Sequence, residues 1–160
     1  MPNPLRDLLF SKARLDETAS MLANPPTPTD VLGVVLEIGL PDNAVIIAGY
    51  ANGDARLLWD SGGAVVGDLY QFNEIAAAAK ALCSTAQSLL DHLLSQPDIP
   101  PLPQVDIVQV TALTPGGLYS SHAPGPDIIT STHPLKPLYA AAMNLYKEVQ
   151  TLNEGTPTES

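Results

Sequence analysis

Basic residues are scarce in this chain: seven Lys and Arg stand against seventeen Asp and Glu, for a formal charge of −10 over 160 residues. No Lys/Arg cluster breaks that balance, so phosphate-rich partners are repelled. Nucleic acid and anionic membrane surfaces are therefore excluded as expected partners. Cysteine is almost absent. A single Cys83 rules out an internal disulfide, and the expected setting is reducing. No apolar run approaches the ~18 residues that cross a bilayer. The opening Met1-Pro2-Asn3-Pro4 lacks the basic-then-apolar pattern of a secretory leader. A cytoplasmic location is the expectation. Aromatics make up only 5%, so the core must rest on Leu, Val, Ile and Ala. Catalytic and ligand motifs are missing as well.

Proline is plentiful. Sixteen prolines are about twice the usual share of roughly 5%. They cluster at Pro25, Pro26 and Pro28, at Pro97, Pro100, Pro101 and Pro103, and at Pro124, Pro126, Pro134 and Pro137. They punctuate the chain as stiff connectors.

Between those connectors the periodicity is legible. Asn3-Pro4 starts a helix whose apolar stripe, from Leu5 to Leu22, runs to about Ala23. Val31 to Leu40 alternates with both faces apolar or small, the pattern of a central strand covered on both sides. Ala44–Tyr50 and Ala55–Trp59 follow as strands. Asn52-Gly53 between them suits a two-residue type I′ turn, pairing Tyr50 with Ala55, Ala48 with Leu57 and Ile46 with Trp59. A long helix carries Phe72, Ile75, Ala76, Ala79, Leu82, Cys83, Ala86, Leu89, Leu90 and Leu93 on one stripe. Asp68 and Gln71 read as its capping box, and Gln96-Pro97 as its stop. A proline linker to Gln104 leads to a strand over 105–113. A turn at Thr114-Pro115-Gly116-Gly117 then leads to a strand over 118–123. The loop 124–133 shows no period. Leu135 to Leu152 reads as a final helix, and Asn153 to Ser160 as a disordered tail.

The expected architecture is one α+β domain over 1–152. Its five-stranded, mainly antiparallel sheet carries three helices in the order α-β-β-β-α-β-β-α. That order, over roughly Leu5 to Leu152, resembles the roadblock/LC7 family of profilin-like folds. The resemblance implies a homodimeric scaffold that docks partner proteins, with no catalytic residues. The stretch Ala51 to Gly63, ANGDARLLWDSGG, is similar to bacterial proteins and suggests a bacterial source.

Each candidate for chemistry has a plainer structural reading. Ser61-Gly62-Gly63 through Gly67 precedes a helix and could cradle an anion. It carries no Lys and no Walker pattern, so a tight turn is expected. Ser61 with His92 lacks the Gly-x-Ser-x-Gly elbow of a hydrolase. His122, Asp127 and His133 could bind zinc, but their spacing matches no ligand pattern. Cys83 lies on an apolar stripe, where a thiol packs and stays inert. Glu37, the odd charge in a central strand, is expected to pair with Arg56 or to lie at an interface.

No catalytic, cofactor-binding or metal site is therefore assigned, and no cofactor. The expected function is a non-enzymatic protein-interaction or scaffold module, partnered with itself as a homodimer and with another protein. The alternative is an acidic immunity or inhibitor protein that neutralises a basic partner. A third class is a ligand sensor or enzyme with the loop 124–133 as a lid.

Overall fold

The computed structural model describes residues 4–59, 64–65, 69–130 and 132–155. The chain builds one antiparallel sheet with helical cover on one face and a mixed layer on the other. Helices α1 (Pro4–Leu9) and α2 (Lys12–Ser20) precede strands β1 (Gly33–Leu40), β2 (Asn43–Tyr50), β3 (Ala55–Trp59) and β4 (Ala64–Val65). Helix α3 (Asn73–Ser88) leads to β5 (Leu94–Gln96), β6 (Ile107–Thr114) and β7 (Gly117–Pro124). Helices α4 (Gly125–Thr130) and α5 (Lys136–Gly155) close the chain. The strand order is β4-β3-β2-β1-β6-β7-β5, and every pairing is antiparallel.

The α+β class and the single antiparallel sheet match expectation. The counts do not: among the described residues there are seven strands and five α-helices, not five and three. The two added strands, β4 and β5, have two and three residues and sit at the sheet edges. Segments that short carry no readable period, and short edge strands are a common way to blunt an edge.

Five further expectations need correction. The first helix breaks in two because the Ser11 hydroxyl accepts from the Arg14 N–H at 3.1 Å and restarts the helix as an N-cap. The β2–β3 hairpin is shifted by one residue: Gly49 pairs with Ala55, Ala48 with Arg56 and Ile47 with Leu57. A type I′ turn needs positive φ at both central residues, and only Gly53, at φ 93°, has it. The loop thus takes three residues, Ala51 to Gly53. Asp54 lies across from Tyr50, joined by Tyr50 N–H to Asp54 O at 2.9 Å.

The long helix stops at Ser88 rather than Gln96. Thr85 and Ser88 hydroxyls bond back to carbonyls of their own helix. Gln96 precedes a proline and prefers extended backbone, and Leu94–Gln96 pair with β7. Helix α3 begins after Phe72, which makes no side-chain cap. The proposed cap Asp68 lies outside the described residues, as do Ser61, Gly62, Gly63 and Gly67. Finally, 125–130 within the expected loop is helix α4, anchored by Ile128, which is fully buried. Helix α5 runs through Gly155, three residues into the expected tail; 156–160 are outside the described residues.

Alternation divides the core into two. Val34, Leu36, Ile47, Leu57, Val108 and Val110 face the helices, meeting Ile75, Ala79, Leu82, Leu138, Leu145 and Val149. Val35, Ile46, Ala48, Tyr50, Leu58 and Leu113 face the other way and are covered by Leu9 and Phe10, with Leu15, Leu102 and Leu118 at the margin. Burying each Leu or Ile contributes roughly 1.5–3 kcal/mol. β1 is thus the central strand, buried on both faces as its sequence predicts.

Candidate functional site

Two buried ionic clusters sit on the face away from α3 and α5. In the first, Glu37 is fully buried at the middle of β1. Arg6 of α1 grips it with two donors, Nε to Oε2 at 2.5 Å and Nη2 to Oε1 at 3.0 Å. Arg6 Nη2 also donates to the Pro100 carbonyl at 2.6 Å. Gln109 of β6 stands across from Glu37 in register and donates Nε2 to Glu37 Oε1 at 3.0 Å and to the Pro101 carbonyl at 2.9 Å. A buried carboxylate is tolerated only when paired and hydrogen-bonded. This cluster therefore fastens both α1 and the proline segment to the sheet.

In the second, Asp54 accepts from Arg56 Nη1 at 2.7 Å, from Arg14 Nη1 at 3.2 Å and from the Leu69 N–H at 3.1 Å. The Arg14 guanidinium lies over the Tyr50 ring at 5.4 Å. The Tyr50 hydroxyl donates to the Leu9 carbonyl at 2.7 Å, and burial pushes its pKa upward. Arg56 thus serves Asp54, and the expected Glu37–Arg56 pair is not formed. The hairpin register explains why: Arg56 lies opposite Ala48, next to the turn, whereas Glu37 lies opposite Ile46.

The other sequence candidates are scattered. His92 is exposed in a 3₁₀ turn after α3. His122 is exposed on β7 and Asp127 is exposed on α4. His133 Nδ1 accepts the Leu135 N–H at 3.1 Å. Among the described residues no group of three His, Cys, Asp or Glu is placed to hold a metal ion. No helix among them is long and apolar enough to cross a membrane. No family model, curated protein or solved structure matches the chain.

Cys83 is buried on α3, its thiol 3.5 Å from the Gly49 carbonyl. Burial pushes its pKa up from 9.0 to about 12. The sign follows directly. Below pH 9 the thiol is protonated folded and unfolded alike; above it the unfolded chain ionises first, so stability falls as pH rises toward 12. Tyr50 acts in the same direction at still higher pH. Chemical denaturation of the native protein and of Cys83→Ala between pH 8 and pH 11 should show a steeper alkaline loss in the native chain, by up to about 1.4 kcal/mol per pH unit. Parallel slopes would contradict an inert, sealed thiol.

One end of the sheet gathers exposed apolar side chains. Leu40 ends β1, Val105 precedes β6 and Ile129 lies on α4; they are 41%, 50% and 50% exposed. Asp106 ties the three segments together. Its N–H donates to the Gly39 carbonyl at 2.9 Å and its carbonyl accepts the Gly125 N–H at 2.8 Å. It does so at φ 67°, a left-handed conformation that Asp tolerates better than most residues. Sequence reasoning missed this grouping because its members are far apart in the chain, at a strand end, in a linker and on a short helix.

Proposed function

We propose that the chain is a non-enzymatic interaction module that pairs with a second copy of itself and, through that pair, holds another protein in a bacterial cytoplasm. The observation that carries this reading is the apolar end of the sheet, where Leu40, Val105 and Ile129 are exposed around the Asp106 knot. Exposed apolar groups gathered at one place favour burial against a partner. The buried ionisable groups support the reading too, because Glu37 and Asp54 are engaged by arginines in structural ties. The roadblock/LC7 resemblance points the same way, since that family's fold serves as a homodimeric scaffold.

The test is light scattering at tens of micromolar. The expected mass is twice the 16.8 kDa of the chain. Val105→Glu should return the single-chain mass while leaving the melting temperature of the fold unchanged, because Val105 is exposed. A native chain that scatters as a monomer would overturn the homodimer. It would favour the second reading, an inhibitor whose −10 charge meets a basic protein.

A further inference from the structure

Gln109 is 93% buried, being 7% exposed, yet its bonding is incomplete. Both acceptors near it, Glu37 Oε1 and the Pro101 carbonyl, are met by its Nε2. Two acceptors on one side fix the orientation of the amide, because a flipped group would set oxygen against oxygen. Oε1 must then point the other way, and among the described residues none donates a hydrogen bond to it. Among the described residues no sealed side-chain nitrogen or oxygen lacks a partner. Gln109 Oε1 is therefore not sealed, and it opens on the clefts that Gln109 lines.

Two adjoining clefts, of about 490 and 330 Å³, share Gln109, His122 and Pro101. Volumes of roughly 300–1,000 Å³ suit a small-molecule ligand. Ser120 forms part of the floor of the larger one and is 5% exposed. Its Oγ accepts from Thr111 Oγ1 at 3.3 Å, which leaves the Ser120 hydroxyl hydrogen free to donate. Gln109 pairs with His122 and Thr111 with Ser120. Gln109 and Ser120 are thus diagonal neighbours on one face, about 7–8 Å apart. An unused acceptor and an unused donor stand side by side in a floor walled by Leu94, Pro100 and Pro101. Among the described residues no Lys, Arg, Asp or Glu lines either cleft, and a surface of charge −10 repels anions.

We propose that this cleft binds a small uncharged ligand that presents a neighbouring N–H and C=O, an amide or lactam group. The N–H meets Gln109 Oε1 and the C=O accepts from Ser120. The apolar part rests on the proline rings and Leu94, and His122 stands at the rim.

The experiment is a protein-observed NMR screen of the full ¹⁵N-labelled chain at millimolar fragment. The set consists of neutral amides and lactams, each paired with its N-methylated form, which keeps the C=O and loses the N–H. The proposal expects saturable shifts at the Gln109 side-chain amide, Ser120 and His122. N-methylation should weaken binding about tenfold, the cost of leaving a buried acceptor unmet. Ser120→Ala should weaken both forms severalfold, measured where the variant is folded, since it also leaves the buried Thr111 hydroxyl unmet and lowers the melting temperature. A set in which no fragment shifts these residues would overturn the site. N-methylated forms that bind as well as their parents would overturn the ligand class. Neither outcome depends on the oligomeric state.

Discussion

Arg6→Met is expected to cost about 3–5 kcal/mol of folding stability, the usual result of removing one partner from a buried ion pair. Domains of this size are stable by only about 5–15 kcal/mol, so the variant sits near unfolding at ordinary temperature. The reason is Glu37, fully buried in the central strand. Without Arg6 its carboxylate keeps a single side-chain donor, Gln109 Nε2, too little to offset the loss of water. The guanidinium also lies over the Phe10 ring, 5.1 Å from its centroid, and methionine replaces that cation–π contact only with a thioether–ring contact. Arg6→Met combined with Glu37→Leu removes the stranded charge along with its partner and should recover most of the loss. Urea denaturation of the native chain, both single variants and the double variant completes the cycle. A loss below about 1 kcal/mol for Arg6→Met would mean that the pair behaves as a solvated surface bridge.

Gly39→Ala should cost about 1–3 kcal/mol or more, by overpacking. A Cβ at Gly39 would lie 1.9 Å from the Gln104 carbonyl oxygen, 2.6 Å from its carbon and 2.9 Å from the Pro103 oxygen. All three are backbone atoms, which cannot rotate aside. The proline segment would have to lift from β1, weakening the Asp106–Gly39 hydrogen bond. Gly125→Ala is the control: its Cβ meets nothing closer than 3.5 Å, and its cost should stay within about 0.5 kcal/mol. Equal losses at the two positions would show that the proline segment does not press on the sheet.

Much of this fold is readable in the residues, and the failures have physical causes. Val31 to Leu40 announces a central strand because both of its faces are apolar, and Gly33–Leu40 is one. The stripe from Ile75 to Ala86 announces a buried helix face, and those residues are buried. Leu90 and Leu93 continue the same period yet leave the helix, because pairing with β7 and the following Pro97 outweigh periodicity. Asn52-Gly53 signals a hairpin but not its loop length, which Asp54 decides through its contacts with Arg14, Arg56 and Leu69.

The polar interior was only half legible. Glu37 stands out as a lone charge in an apolar strand, and burial with a cation follows from that. Which cation does not, because Arg6 is 31 positions away on a helix whose docking depends on tertiary packing. Gln109 carries a similar signal, a lone polar residue between Val108 and Val110, and only the β1–β6 register shows that it meets Glu37. The apolar end at Leu40, Val105 and Ile129 gives no periodic sign at all, since hydrogen bonds of Asp106 bring together a strand end, a linker and a short helix far apart in the chain.

Hydrogen–deuterium exchange of the native chain at about 1 and about 100 micromolar tests the self-association reading most directly. If a second copy covers the apolar end, amides in the segments around Leu40, Val105 and Ile129 gain protection at the higher concentration, while those of α3 exchange equally at both. Exchange that is identical at the two concentrations, or protection gained only on other segments, would contradict that reading.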